Sequence, residues 1–298
     1  MRIGVVMLPT DPWPETVARA KHLDALGFDH LWTYDHLSWR RYRDRPWHAT
    51  IPWLTGLAGA TETIRLGTMV ASPNFRHPVV LAKDAMTLDH ISDGRLTLGV
   101  GAGGGGFDST VLGGAVLAAR DRRERLEEFV ELLDRLLREP TTSFRGTYYS
   151  AEEARMLPGC VQHPRLPLAI AAGDPGTMAL VARWADAWIT YGDSSHRDLT
   201  AAGTDAAVTR QLDQLTEQCG LLGRDPGSFD RIYLSGNTEE RPLASLGAFT
   251  DLVGRCEALG FTDVVFHHPR ADDPVWNDPE EIVEAIASEF PRPPRPER

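Results

Sequence analysis

The chain alternates between short apolar runs and longer amphipathic runs over almost its whole length, and this alternation constrains the fold more than any other feature. Eight short runs rich in β-branched and apolar residues have the length of strands, and each is followed by a run with helical spacing of its apolar residues. Parallel strands are joined by crossovers, which are usually helices. The pattern therefore predicts a parallel sheet covered by helices.

Eight strand–helix units favour a closed barrel over an open sheet, so we predict an α/β fold with a single (α/β)8 TIM barrel. This domain is expected to span residues 1–290, and a Pro/Arg-rich tail at 291–298 is expected to be mobile. The strands are predicted at 2–7, 30–34, 65–70, 95–100, 168–172, 187–190, 231–235 and 263–267. The helices are predicted at 13–27, 47–61, 78–91, 120–138, 176–185, 205–222, 243–259 and 279–290.

Two short segments repeat within the chain and support this periodicity. Residues 25–29 read Ala-Leu-Gly-Phe-Asp and enter the second strand, while residues 258–262 read Ala-Leu-Gly-Phe-Thr and enter the eighth. Glycine commonly ends a helix, because it adopts the left-handed conformation without a steric penalty. We expect Gly27 and Gly260 to end their helices, and the phenylalanine that follows each to pack under the barrel.

One connection departs from the alternation. Residues 139–167, between the fourth and fifth strands, contain no clear barrel element, so we predict an insertion there. Long loops in compact domains are usually functional or disordered. Residues 147–150 are expected to be extended and to cross the top of the barrel, with an ordinary surface excursion as the alternative.

Charge and cysteine content narrow the possible partners and compartment. The 298 residues contain 31 Lys+Arg against 42 Asp+Glu, a formal net charge of −11, which argues against nucleic acid or an anionic membrane as a partner. The cysteines, Cys160, Cys219 and Cys256, are widely spaced, so neither a disulfide framework nor a zinc cluster is expected. Free cysteines fit a reducing compartment, so we expect a cytoplasmic location. The first apolar run is interpreted as a buried strand rather than a signal peptide, and no run is long enough to span a membrane.

A glycine-rich turn follows the fourth predicted strand, where the barrel fold places its active site. Residues 101–106 read Gly-Ala-Gly-Gly-Gly-Gly, and no helix begins directly after them. The turn therefore does not match a dinucleotide-binding fingerprint, which needs a strand, the glycines and a helix in direct succession. We favour a backbone that lies against a flat ligand, and a flexible base for a lid is the alternative.

The turn after the fifth predicted strand leads directly into a helix. The backbone N–H groups of Gly176, Thr177 and Met178 are expected to be unpaired at that helix start, which would suit a phosphate. The alternative is an ordinary helix cap formed by Asp174 or Thr177.

His36, after the second predicted strand, is the best catalytic candidate, since histidine titrates near neutral pH and Asp35 beside it could orient a neighbouring group. A structural histidine is the alternative.

His36, His77, His267 and His268 could also gather around a metal, as in barrel hydrolases, but residues 3–7 of the first strand are wholly apolar and offer no ligand. We therefore predict no metal site.

Several of these segments together resemble the bacterial-luciferase-like superfamily of flavin and deazaflavin oxidoreductases. The segments that carry the resemblance are residues 25–32, 35–36, 64–70, 77–83, 93–103, 171–173 and 182–190. Their order and spacing are more specific than any one of them. The resemblance implies a flavin-type ring held at the carboxyl ends of the barrel strands, and a homodimer.

The resemblance also implies particular cofactor contacts. A non-proline cis peptide bond is expected at Met69–Val70, behind the ring, and the phosphate is expected on the turn after the fifth strand. The positions that match cofactor contacts are Asp35, Met69, Val70, Ser72, Ala102, Gly103, Phe107, Gly173, Asp174, Gly176, Thr177 and Met178.

The Asp35–His36 pair is similar to the branch that uses coenzyme F420, a deazaflavin, so hydride transfer to or from a small organic molecule is the favoured function. There, His36 is expected to handle the accompanying proton, and Trp13, Trp39, Phe75 and His267 are expected to shape a substrate pocket. One alternative is an FMN-dependent monooxygenase that takes reduced flavin from a partner reductase. Another is a non-catalytic flavin-binding barrel.

The chain departs from the sugar-phosphate dehydrogenases of that branch. Gly104 stands where they carry a catalytic carboxylate, and Ser194 stands where they carry a lysine for the sugar phosphate. Lys21 and Lys83, the only lysines, are both predicted on helices. A phosphosugar substrate is therefore not expected.

Overall fold

A computed structural model of the protein describes residues 1–193, 200–236 and 238–291 and shows a closed barrel of eight parallel strands. The barrel strands are β1 (Arg2–Val6), β2 (His30–Thr33), β3 (Arg65–Thr68), β4 (Leu96–Val100), β7 (Leu168–Ala171), β8 (Ala187–Thr190), β9 (Asp230–Leu234) and β10 (Asp263–His267). Two further strands, β5 (Thr141–Arg145) and β6 (Ser150–Arg155), form a separate antiparallel hairpin. The order around the barrel is β1-β10-β9-β8-β7-β4-β3-β2, and β1 pairs with both β2 and β10 to close it.

Each barrel strand is followed by one long helix. These are α1 (Trp13–Ala25), α2 (Thr50–Ala60), α3 (Pro78–Ile91), α4 (Ala119–Arg138), α5 (Pro175–Trp184), α6 (Ala201–Leu222), α7 (Leu246–Ala258) and α8 (Glu281–Glu289). The predicted (α/β)8 TIM barrel with an insertion after its fourth strand is therefore confirmed. Of the predicted features, Ser194 and residues 292–298 of the tail lie outside the described residues.

The barrel strands are buried on both faces, because one apolar layer fills the inside of the barrel and a second lies between the strands and the helices. Alternate side chains point inward, where Val6, Trp32 and Ile189 share one cluster, and outward, where Leu31 and Trp188 pack under the helices. Such strands are expected to be almost continuously apolar, as they are here.

The repeated Leu-Gly-Phe segments behave as the sequence predicts. Gly27 and Gly260 follow the ends of α1 and α7 with φ values of 85° and 80°, a conformation that favours glycine. Phe28 and Phe261 are 3% and 6% exposed, so both pack in the core as expected.

A polar cluster occupies the end of the barrel opposite its mouth, where the strands begin. His30 Nε2 lies 2.8 Å from Asp263 Oδ1, and Trp32 Nε1 donates to His30 Nδ1 at 2.6 Å. Arg2 Nη2 donates to Asp263 Oδ2 at 2.6 Å and also pairs with Asp230. Burial acts to raise the pKa of Asp263, but His30 and Arg2 lower it to about 2.

The insertion differs from its prediction. Residues 147–149 form the turn of the β5–β6 hairpin, where their backbone N–H groups donate to the Glu128 carboxylate of α4. Tyr149 packs against the rings of His77 and Phe129, next to α3 and α4. The expectation that 147–150 crosses the top of the barrel is wrong, because these contacts hold the hairpin against the outer helices.

None of the helices in the described part of the chain combines the length and apolar character needed to cross a bilayer.

Candidate active site

A cavity of about 1280 Å³ opens at the carboxyl ends of the barrel strands. It exceeds the usual size of a small-molecule site, which leaves room for two ligands side by side. The loops after β2, β3, β4, β7 and β8 form its walls. The predicted site residues that line it are His36, Trp39, Met69, Val70, Ser72, Ala102, Gly103, Phe107, Gly173, Asp174 and Thr177.

The wall after β3 contains the peptide bond that the resemblance implies. Met69–Val70 is a non-proline cis peptide, and both residues face the cavity. Ala71 then forms an isolated parallel bridge with Val100, which ties this bulge to the end of β4.

The glycine-rich turn after β4 has two parts with different roles. A Cβ at Gly101 would lie 2.7 Å from Val70 Cγ2, and one at Gly103, whose φ is 72°, would lie 2.3 Å from Ser72 Oγ. These two glycines let the turn pack against the bulge after β3. A Cβ at Gly104 or Gly106, in contrast, would meet nothing within 4 Å. This second part gives a ligand a backbone surface without side chains.

His36 lines the cavity and is held by a carboxylate that the sequence did not indicate. Its Nδ1 lies 2.5 Å from Asp108 Oδ2, in the loop after β4. Asp108 Oδ1 also accepts hydrogen bonds from the backbone N–H groups of Leu37 at 3.0 Å and Ser38 at 3.3 Å. Asp108 is 5% exposed, and it lies four positions beyond Gly104 in the same loop. No local motif marked it, because its partner is 72 positions away in the chain.

Asp35 does not line the cavity, although it was predicted to contact the cofactor. Its carboxylate is fully buried and accepts two hydrogen bonds from Arg76, from Nε at 3.0 Å and from Nη2 at 2.7 Å. Burial acts to lower the pKa of Arg76, but the hydrogen bonds and charge of Asp35 raise it above its ordinary value. Because successive side chains of an extended segment alternate in direction, Tyr34 and His36 face the cavity and Asp35 faces away.

The start of α5 also differs from its prediction. Asp174 Oδ1 accepts hydrogen bonds from the backbone N–H groups of Gly176 and Thr177, and the N–H of Met178 donates to the Asp174 carbonyl. Thr177 Oγ1 in return accepts from the backbone N–H groups of Gly173 and Asp174, which completes a capping box. The expectation of three unpaired N–H groups is therefore wrong, and the helix-cap alternative holds.

The structure adds polar cavity residues that sequence reasoning missed. Arg122 lies at the start of α4, and Nη1 of its guanidinium donates to the Leu117 carbonyl at 2.8 Å. Gln211 of α6 accepts from Thr190 Oγ1 at 2.7 Å. The further lining residues without a predicted role include Tyr34, Asn74, Tyr191, Arg210 and Gln214.

Five other predicted residues do not line the cavity. Gly176 faces Arg123, where a Cβ would lie 2.5 Å from Cδ, and Met178 is fully buried in the core. Trp13 is 43% exposed at the start of α1 and packs on Gly56 of α2. The three positions therefore face a neighbouring side chain, the core and solvent respectively, and not the cavity.

The remaining two are Phe75 and His267. The Arg76 guanidinium lies 5.1 Å from the ring centroid of Phe75, outside the cavity wall. His267, at the end of β10, is 1% exposed, stacks on Trp276 with ring centroids 3.7 Å apart, and hydrogen-bonds Tyr34 Oη through Nε2 at 2.5 Å. Tyr34 lines the cavity, so His267 lies behind it.

Within residues 1–193, 200–236 and 238–291, no three His, Cys, Asp or Glu side chains are grouped as a metal site would require.

The chain matches known proteins over most of its length. The family model described as luciferase-like monooxygenase matches residues 1–233. An F420-dependent glucose-6-phosphate dehydrogenase of Kineococcus radiotolerans is 31% identical over 222 residues, which cover 74% of this chain but only 63% of the relative. An F420-dependent hydroxymycolic acid dehydrogenase of Mycobacterium tuberculosis is 31% identical over 293 residues, covering 87% of this chain and 80% of the relative.

Solved structures share the fold. An F420-dependent secondary alcohol dehydrogenase in complex with an F420-acetone adduct superimposes with a TM-score of 0.77 at 15% identity, covering 97% of this chain and 98% of that chain. The monooxygenase RslO1 from Streptomyces bottropensis superimposes with a TM-score of 0.71 at 21% identity and covers 97% of each chain. With the family match, the closed barrel and the cis peptide bond after its third strand, the chain belongs to the luciferase-like monooxygenase family.

Proposed function

We propose that this chain is an F420-dependent dehydrogenase that oxidises a hydroxyl group of a small organic molecule, with His36 accepting the proton. One observation carries the proposal: a carboxylate-bound histidine lines a cavity large enough for a cofactor and a substrate. Two relatives at 31% identity are named as F420-dependent dehydrogenases, and this supports the proposal.

The cavity walls fit a flat ring. The bulge at Met69–Val70 and the turn at Gly101–Gly103 pack closely against each other, and both line the cavity. Gly104 and Gly106 leave the space beside them open, so a planar ring system can approach the main chain. Met69 and Val70 would lie against one side of the ring.

Arg122 and Arg210 both line the cavity. Their positive charges would hold the anionic part of the cofactor. The start of α5 is less suited to a phosphate, because Asp174 already accepts its N–H groups and brings a negative charge. A carboxylate repels a dianionic phosphate monoester, as in FMN, more strongly than a monoanionic phosphodiester, as in F420. This supports F420 over FMN.

When bound, F420 supplies a two-electron hydride acceptor. The residues of this chain orient the substrate and manage the proton. Asp108 binds Nδ1 of His36, so Nε2 is the ring nitrogen left for the substrate. Removal of the hydroxyl proton by a positioned base typically contributes about 10²–10⁴-fold to the rate.

Aromatic rings surround His36 and favour an uncharged, partly apolar substrate. Trp39 stacks on His36 with ring centroids 6.1 Å apart, and Tyr34 meets it edge-on. Lys21 and Lys83 lie on α1 and α3, and Lys83 Nζ donates to the carbonyls of Arg155 and Leu157 near the hairpin. Neither lysine lines the cavity, so neither is placed to bind a sugar phosphate there.

Cofactor titration tests the proposal directly. The purified protein is titrated with F420 and, separately, with FMN, and each binding curve is followed by ligand fluorescence. We expect tighter binding of F420. A panel of small primary and secondary alcohols is then screened for reduction of F420, with His36→Gln as the test variant and exposed Asp44→Asn as the matched control.

We expect His36→Gln to reduce turnover about 10²–10⁴-fold and to leave the dissociation constant of F420 within about threefold. Asp44→Asn should behave as the wild type. Tighter binding of FMN, product formation that requires oxygen, or full turnover by His36→Gln would each contradict the proposal. Tight F420 binding without turnover of any panel alcohol would favour a non-catalytic barrel.

A further inference from the structure

The Asp108 carboxylate makes three contacts with one short segment of chain. Oδ2 faces Nδ1 of His36 at 2.5 Å, while Oδ1 accepts from the backbone N–H groups of Leu37 and Ser38. The two oxygens therefore have separate partners. The Asp108 side chain is 7% exposed, so water competes little for these contacts.

The chemistry of this carboxylate restricts the proton on His36. An ionised carboxylate has no proton to donate, so the ring nitrogen that faces it must carry one. In the neutral imidazole only one nitrogen is protonated. A proton on Nδ1 therefore leaves Nε2 with its lone pair, on the ring of a residue that lines the cavity.

We propose that Asp108 is a positioning residue that fixes His36 in the Nδ1–H tautomer, so that Nε2 accepts the proton of a substrate hydroxyl. This inference rests on the proposed function. In the step, the O–H and the adjacent C–H bonds of an alcohol break and a C=O bond forms. The proton would go to His36 Nε2, and F420, when bound in its oxidised form, would supply the acceptor for the hydride.

Aromatic rings already support the imidazole of His36, so the role of Asp108 can be distinguished from mechanical support. Trp39 stacks on the His36 ring with an interplanar angle of 27°, and Tyr34 and Trp47 contact it edge-on. These rings hold the plane of the imidazole without regard to where its proton lies. The carboxylate is the group that distinguishes the two tautomers.

The Asp108→Asn variant tests this distinction, since its side chain has nearly the same shape. The N–H groups of Leu37 and Ser38 still require an acceptor, so the amide oxygen of the asparagine should take the place of Oδ1. Its NH₂ group then faces Nδ1 of His36 and donates to it. The ring is driven into the Nε2–H tautomer, which cannot accept a proton at Nε2. The same exchange in a serine-protease triad lowers kcat about 10⁴-fold by this reversal of tautomer.

The first readout needs no substrate. Imidazole nitrogen chemical shifts, measured in mildly alkaline buffer on protein labelled at histidine, report which ring nitrogen carries the proton, and His36→Gln assigns the signal. We expect Nδ1–H in the wild type and in Asp44→Asn, and Nε2–H in Asp108→Asn. A wild-type ring in the Nε2–H form, or an unchanged tautomer in Asp108→Asn, would overturn the inference.

The second readout is turnover with F420 and an active alcohol from the panel. Asp108→Asn should lower kcat about 10²–10⁴-fold with KM within about threefold, and Asp108→Glu should recover part of the loss. Reversal of the tautomer with unchanged kcat would overturn the catalytic part of the inference. The Nδ1–H tautomer in a wild type that turns over no alcohol would support the pairing and contradict the proposed function.

Discussion

Arg76 and Asp35 form a two-point ion pair beneath the wall of the cavity, with Nε and Nη2 each donating to one carboxylate oxygen. Asp35 is fully buried and directly precedes His36, while Arg76 follows the cis peptide bulge of the neighbouring strand. The pair therefore connects the loop that carries His36 to the loop that forms the adjacent wall.

Removing the cation should destabilise the whole barrel. Arg76→Ala leaves the Asp35 carboxylate buried and unpaired, which typically costs about 3–5 kcal/mol. We expect urea unfolding to show a loss of that size. Arg120→Ala, which removes an exposed pair with Glu124 on α4, should leave the free energy of unfolding almost unchanged, because solvent screens that pair. Equal losses in the two variants would contradict this assignment.

The carboxylate of Asp174 should select against a terminal phosphate. Asp174→Ser keeps an oxygen that can cap α5 and removes the charge. We expect the affinity for FMN to rise about three- to tenfold and that for riboflavin, which has the same ring without a phosphate, to stay unchanged. Fluorescence titration with both ligands measures the difference. A parallel change for both ligands would show that Asp174 does not face the phosphate.

Gly103 and Gly104 are neighbours that should respond differently to alanine. Gly103 has a φ of 72° and its Cβ would lie 2.3 Å from Ser72 Oγ, whereas a Cβ at Gly104 meets open space. We expect Gly103→Ala to lower the free energy of unfolding by about 1–3 kcal/mol, and Gly104→Ala to lower it by less than about 0.5 kcal/mol. Chemical denaturation of both variants checks the prediction, and a smaller loss for Gly103→Ala would refute it.

Asp263 should contribute stability that acid removes. Its pKa is about 2 in the folded chain, against about 3.9 in an unfolded one, so its contribution is complete above pH ~4 and is lost as the pH falls toward 2. The shift corresponds to about 2–3 kcal/mol at neutral pH. At neutral pH, Asp263→Asn should lower the free energy of unfolding by about that amount. Between pH ~4 and pH ~2, its free energy of unfolding should fall less steeply than that of the wild type.

Unfolding by urea at a series of pH values measures this effect. Asp230→Asn is the matched control, because Asp230 also pairs with Arg2 but its side chain is 47% exposed. Its loss should stay below about 1 kcal/mol. An equal loss for both variants would mean that burial of the carboxylate is not the source of the shift.

The local sequence predicted the secondary structure but not every side-chain contact at the site. Helix caps, glycine stops and the order of strands are set by residues close together in the chain, which is why β1–β4 and β7–β10 were predicted within two residues at each end. The α5 cap was misjudged even so. Asp174 was recognised as a possible cap, but which of two local hydrogen-bond patterns forms depends on side-chain geometry.

The sequence by itself determined the barrel, the end at which its cavity lies, and His36 as a residue of that cavity, because periodicity and strand order fix these without reference to distant contacts. Only the tertiary structure decided which carboxylate holds His36. Asp35, its neighbour in the chain, faces the other way and binds Arg76, while Asp108 arrives from a loop 72 positions later. Adjacent side chains of an extended backbone point in opposite directions, and closure of the barrel brings the ends of separate strands together.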